Sequence, residues 1–124
     1  MSTDEPIGVL VVDDQELFRR GLVMVLSGED GIRVVGEAAD GDGALELVSS
    51  SAPDVVLLDV YMPGRSGLET CAAIKEMSPS TRIVMLTAST SDQVLTTAMS
   101  AGAAGFVSKT SGLGELAQLG SRAL

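Results

Sequence analysis

The chain has no histidine, no tryptophan, one cysteine (Cys71) and three aromatic residues, Phe18, Tyr61 and Phe106, among its 124 residues. Its basic residues are also few, eight Lys and Arg against 17 Asp and Glu, for a formal net charge of −9. Each shortage excludes something. Without histidine there is no Ser-His-Asp or Cys-His catalytic set, no imidazole metal ligand and no phosphohistidine on this chain. A single cysteine forms no internal disulfide. The acidic balance argues against these residues gripping nucleic acid or an anionic membrane on their own. No apolar run approaches the roughly 20 residues of a membrane-spanning helix. The opening residues, Met1 to Pro6, are acidic and polar, which is not the pattern of a signal peptide.

What is there suits one globular domain. Apolar residues make up 45%, the usual share for a folded chain. With so few aromatics the core must be aliphatic. Short runs rich in Val, Leu and Ile alternate with longer segments of helical spacing. The runs are Ile7–Val12, Ile32–Ala39, Val55–Leu58 with Asp59 at its end, Thr81–Thr87 and Ala104–Ser108. Their length and continuous apolar character predict strands buried on both faces of a parallel sheet. Helices are predicted over Gln15–Ser27, Ala44–Ser50, Ser66–Met77, Gln93–Ala101 and Gly112–Leu124. Phe18, Leu22, Val25 and Leu26 form the inward stripe of the first. Leu68, Cys71 and Ile74 form that of the third, which makes Cys71 a small core residue. Ser66 and Asp92 are candidate caps, and Gly102 can close the fourth helix in the left-handed conformation. Strand–helix alternation of this kind predicts right-handed βαβ units and a doubly wound α/β sheet. Five units fill residues 1–124, so a single domain is expected.

In open parallel sheets, ligands bind outside the carboxyl ends of the strands. The first strand ends in Asp13-Asp14, the third in Asp59, the fourth in Thr87 and the fifth in Ser108-Lys109. Three acids, a hydroxyl and an amine thus converge on one edge. Carboxylates brought together repel unless a cation neutralises them. All-oxygen ligands select a hard cation, Mg²⁺ first and Mn²⁺ or Ca²⁺ next. A metal, an amine and a hydroxyl aimed at one point are what phosphoryl transfer requires, and a carboxylate such as Asp59 can be the nucleophile. Taken singly, each residue has a plainer reading: a cap or turn for Asp13 or Asp14, a strand end for Thr87, a solvated charge for Lys109. Arg19 and Arg20 are expected as solvated helix charges. Pro63-Gly64 marks a turn after Asp59, with Gly67 near the next helix start.

The stretches Val9-Leu-Val-Val-Asp-Asp14, Val55-Val-Leu-Leu-Asp-Val-Tyr-Met-Pro-Gly64, Ile83-Val-Met-Leu-Thr-Ala88 and Ala101-Gly-Ala-Ala-Gly-Phe-Val-Ser-Lys109 resemble the response-regulator receiver domain of bacterial two-component systems. Gln15-Glu-Leu-Phe-Arg-Arg-Gly-Leu22 and Val34-Val-Gly-Glu-Ala38 are similar to its NarL/FixJ, or LuxR-type, subfamily. The resemblance implies a flavodoxin-like (βα)5 sandwich with strand order 2-1-3-4-5. It implies that Asp59 accepts a phosphoryl group from a sensor histidine kinase. Asp14, Asp59 and the Tyr61 backbone carbonyl would ligate Mg²⁺, with Asp13 acting mainly through water. Thr87 and Lys109 would contact the phosphoryl oxygens, and Thr87 and Phe106 would form the conformational switch. It further implies a cytoplasmic protein that controls transcription, dimerises on activation, and reaches DNA only through a C-terminal helix-turn-helix domain outside residues 1–124. Its chemistry would be phosphoryl transfer to its own Asp59 and slow autodephosphorylation, not enzymatic turnover.

Some positions depart from the family pattern. The switch aromatic is Phe106 where Tyr is commoner, so a hydroxyl contact is lost. Lys109 precedes Thr110 where proline is usual. Tyr61 is bulky and could shield an acyl phosphate from water. Three other readings compete with a phosphorylated receiver. A Mg²⁺-dependent phosphohydrolase would carry a second acid at position 61. A phosphorylation-independent scaffold would not need the full acid, hydroxyl and amine set. A flavodoxin-like nucleotide or flavin binder would carry a glycine-rich phosphate loop after the first strand.

Overall fold

The computed structural model describes residues 5–88 and 92–109; the predicted fifth helix and the 109–110 peptide lie outside them. In chain order the elements are β1 (Ile7–Val12), α1 (Glu16–Ser27), β2 (Ile32–Ala38), α2 (Gly41–Ser51), β3 (Val55–Asp59), α3 (Gly67–Met77), β4 (Arg82–Thr87), α4 (Asp92–Ser100) and β5 (Gly105–Ser108). All strand pairs are parallel, and the sheet order is β2-β1-β3-β4-β5. The doubly wound α/β fold expected from the sequence is the fold observed.

Alternation along the strands divides the core into two layers. Leu10, Val12, Val56, Leu58, Ile83 and Met85 face one side, where Ala44, Val48, Cys71, Ile74 and Ala98 of α2, α3 and α4 cover them. Val9, Val11, Val55, Leu57, Val84 and Leu86 face the other, where Leu22 and Leu26 of α1 pack. The aliphatic strands are apolar throughout because both faces are covered. Cys71 is fully buried, and burial pushes its thiol pKa up.

The local signals decide most element ends. Ser66 caps α3 through a capping box with Glu69. Gly102 closes α4 with φ +104°. α4 begins at Asp92. α2 begins at Gly41, three residues before the predicted Ala44, because Asp40 accepts a hydrogen bond from the Gly43 N–H and so starts the helix on glycines. The bounds of β2, β4 and β5 differ from expectation by one residue each.

Candidate functional site

β1 has β2 on one side and β3 on the other, so the order of strands reverses here. At such a point the crossovers leave in opposite directions and open a crevice beyond the strand ends. Asp13, Asp14 and Asp59 stand in it, with one carboxylate oxygen from each lying within 4.8 Å of the others.

Asp13 continues β1 by one residue. Its N–H donates to the Ala38 carbonyl at 3.0 Å, and its side chain is fully buried. Oδ1 accepts the Gln15 N–H at 2.8 Å. Oδ2 has no hydrogen-bond donor aligned on it, although the Lys109 ammonium lies 2.8 Å away. The contact is a charge pair with free lone-pair capacity. A buried carboxylate oxygen in that state is a ready ligand for a cation.

Asp59 ends β3 and is also buried. The chain then turns sharply into α3. The Gly67 N–H donates to the Val60 carbonyl at 2.9 Å, and a Cβ on Gly67 would fall 1.9 Å from the Asp59 carbonyl oxygen. Only glycine permits that approach. Burial and the neighbouring Asp13 charge raise the Asp59 pKa from 3.8 to about 7. Lys109 opposes this rise, a hydrogen bond with the Asp14 side chain adds to it, and a hydrogen bond from the Tyr61 amide opposes it. Added positive charge would favour the ionised form.

Lys109 enters from the end of β5. Its N–H donates to the Thr87 carbonyl at 2.8 Å, which ties β5 to β4 at the site. Its side chain is 9% exposed. The ammonium also lies 3.6 Å from Asp59 Oδ2, 2.5 Å from Gln15 Oε1 and 4.6 Å from the centre of the Phe18 ring. Gln15 is the N-cap residue of α1 but makes no side-chain cap bond; its amide serves Lys109 instead. Thr87 is buried at the end of β4, opposite Ser108 in register. Phe106 pairs with Met85 and is half-buried against the α2–α4 side of the core. Tyr61 is exposed at the rim. Asp14, Gln15, Asp59, Tyr61, Ala88 and Lys109 line a cleft of about 210 Å³.

The structure therefore brings together Asp13, Asp14, Asp59, Lys109 and Tyr61, with Thr87 on the adjoining strand end. One expectation is corrected. Arg20 is solvated, but Arg19 is buried: its Nε lies 2.8 Å from Glu37 Oε1 and its Nη1 donates to the Asp13 carbonyl at 2.8 Å. A guanidinium with two acceptors in reach can be buried where a free one cannot. Gln15 and Phe18 also escaped the sequence reading as site residues. For Gln15 a signal existed, since glutamine is not a preferred N-cap and follows directly on Asp13-Asp14.

A doubly wound sheet with an acidic cluster and one lysine at its switch point defines a class, the flavodoxin-like α/β domains with an acidic pocket suited to a hard cation. Comparison with known proteins narrows it. The response regulator receiver domain family matches residues 9–119. The chain is 43% identical over 112 residues to the response regulator GacA of Pseudomonas aeruginosa, covering 90% of this chain and 52% of GacA. It is 41% identical over 109 residues to the nitrate/nitrite response regulator NarL of Escherichia coli, covering 88% and 50%. Among solved structures, the signal receiver domain of the response regulator NarL from Mycobacterium tuberculosis superposes with a TM-score of 0.88 at 40% identity, covering 95% of each chain. CheY from Borrelia burgdorferi, in a complex with CheX, BeF3 and Mg²⁺, gives 0.86 at 27% identity, covering 97% and 91%. The chain belongs to the response regulator receiver domain family, and within it to the NarL/LuxR type. It spans about half the length of the curated relatives it matches.

Proposed function

We propose that this domain accepts a phosphoryl group on Asp59 from the phosphohistidine of a sensor histidine kinase and so controls a DNA-binding output domain. The observation that carries this reading is the placement of Lys109 among three clustered carboxylates at the switch point. The donor set fits Mg²⁺, with Mn²⁺ as a substitute: every ligand is oxygen, the three acids converge, and the buried Asp13 Oδ2 is met only by the Lys109 ammonium, with no aligned hydrogen bond. Asp14, Asp59 and the Tyr61 carbonyl would hold the ion, with Asp13 acting through water. When bound, Mg²⁺ would neutralise charge on the acids and on the transferred group.

The chain's own residues do the rest. An Asp59 carboxylate oxygen attacks phosphorus as the bond to the donor nitrogen breaks, leaving an acyl phosphate on Asp59. Lys109 and Thr87 donate to the phosphoryl oxygens. Drawing Thr87 toward the phosphate would free space beside β4 for Phe106 to move inward, a local charge change biasing a two-state element. Self-association then passes the state on. The exposed Thr96, Thr97 and Met99 on α4 offer one surface for it. The protein would act in the cytoplasm, and its only chemistry would be self-phosphorylation from a donor and slow loss of the group.

The test uses beryllofluoride with Mg²⁺, followed by native mass spectrometry and size-exclusion chromatography. The reading expects an adduct and a changed oligomeric state in the wild type, and neither in Asp59→Ala. An adduct of equal strength on Asp59→Ala would refute it.

A further inference from the structure

Arg19 has no place in the chemistry described above, yet it is buried beside it. How it comes to be there begins in β2. Val9 pairs with Val34, but Leu10 pairs with Gly36, which leaves Val35 as an extra residue. Partners in a parallel pair point to the same face. Val34 accordingly packs with the α1 side of the core and Val35 with the opposite side. A Cβ on Gly36 would also meet that opposite side, at Leu10 and Leu47. The bulge thus returns Glu37, opposite Val11, to the α1 side. Without it, Glu37 would stand opposite Val12 and face α2, because a one-residue slip reverses every side chain.

Arg19 meets Glu37 from the first turn of α1. A cation there opposes the helix dipole, and a buried charge needs acceptors, so helix stability does not account for it. The Asp13 carbonyl does. Pairing of β1 with β3 ends at Val12 and Leu58, one residue short of Asp13. Its carbonyl receives the Arg19 Nη1 at 2.8 Å in a buried setting. With the N–H held by Ala38 and Oδ1 held by the Gln15 N–H, every polar atom of Asp13 but Oδ2 is held by a hydrogen bond, and Oδ2 is left to the charge pair with Lys109.

We propose that Arg19 and Glu37 are a positioning pair for Asp13: the bulge presents Glu37, Glu37 orients the Arg19 guanidinium, and the guanidinium fixes the Asp13 peptide so that Oδ2 faces the cation site. This rests on the magnesium reading given above. Neither residue touches the reacting atoms. Arg20, with its Nε 3.6 Å from the other Glu37 oxygen and largely exposed, contributes little.

The test compares wild type, Arg19→Met, Arg19→Lys and Glu37→Gln. Mg²⁺ affinity is measured by calorimetry at a temperature where each protein is folded. Tm is measured in EDTA, and amide hydrogen exchange is measured without metal. The expected result is about tenfold or greater weakening of Mg²⁺ binding in Arg19→Met, a smaller loss in Glu37→Gln, and partial recovery in Arg19→Lys. The Gln15 amide should exchange faster in Arg19→Met while those of Val11 and Val12 stay protected. A lower Tm with unchanged Mg²⁺ affinity and unchanged Gln15 exchange would reduce the pair to a staple between α1 and β2 and overturn the assignment. If Arg19→Met does not fold, Glu37→Gln decides by the same two readouts. If the wild type binds no Mg²⁺, the magnesium reading fails instead, and Gln15 exchange alone decides the positioning.

Discussion

The Lys109 ammonium stands 2.8 Å from Asp13 Oδ2 and 3.6 Å from Asp59 Oδ2. It is held nearer the acid that assists than the acid that would react. A lysine so placed competes with a metal for the carboxylates and is ready to turn to a phosphoryl oxygen. Lys109→Ala should therefore bind Mg²⁺ at least as tightly as wild type in a calorimetric titration. It should form acyl phosphate from a small phosphodonor about 100-fold more slowly, the scale of losing one charged contact to a transition state. Unchanged phosphorylation would remove Lys109 from the mechanism.

The raised pKa of Asp59 sets a pH dependence. Without metal the folded protein keeps a proton on Asp59 up to about 7, whereas an unfolded aspartate loses it near 3.8. Between these values the folded state binds more protons than the unfolded state, so stability from this group falls as pH rises and is level above about 7. Denaturant unfolding in EDTA from pH 4 to 8 should show wild type losing stability relative to Asp59→Asn by a few kcal/mol. With saturating Mg²⁺, which favours the ionised carboxylate, the difference should shrink. A parallel pair of curves in EDTA would mean that Asp59 is not held protonated.

Gly67 carries the geometry of the Asp59 turn. The Cβ of Gly67→Ala would sit 1.9 Å from the Asp59 carbonyl oxygen, and the nearest atoms, those of Asp59 and Val60, are all backbone, which leaves little room to yield. The variant should lose about 2 kcal/mol or more in denaturant unfolding, and should bind Mg²⁺ more weakly because Asp59 must move. A variant as stable as wild type would show that the α3 start is looser than it stands here.

Tyr61 lies at the rim of the cleft and is 61% exposed. Tyr61→Ala should expose an acyl phosphate on Asp59 to water and speed its loss several-fold, measured by phosphate release after the donor is removed. An unchanged rate would show that the ring does not shield the group. As the only tyrosine in a chain without tryptophan, Tyr61 also reports on the site, and its fluorescence should change when Mg²⁺ binds.

Much of this was legible in the sequence. β1, β3 and β4 are unbroken aliphatic runs, and their carboxyl ends name Asp13, Asp14, Asp59 and Thr87 without any contact being known. Lys109 follows from β5 in the same way. The support around them was not legible. Arg19 lies one residue from Phe18 on α1, and a charge next to an apolar stripe reads as solvated until its acceptors are seen. Its partner Glu37 faces α1 only because of the bulge at Val35. In a Val34-Val35-Gly36 run nothing alternates to reveal such a shift. Gln15 was hidden for another reason: its side chain leaves the helix end it would cap and turns to Lys109 from 94 residues away.

The central claim is that Asp59 is the phosphoacceptor. Intact-mass spectrometry after incubation with acetyl phosphate and Mg²⁺ tests it most directly. The wild type should gain the mass of one phosphoryl group, lose it with hydroxylamine as an acyl phosphate does, and gain none when EDTA is present. Asp59→Asn should gain none under any of these conditions. A wild type that gains no mass, or an Asp59→Asn protein that gains the same mass, would contradict the account.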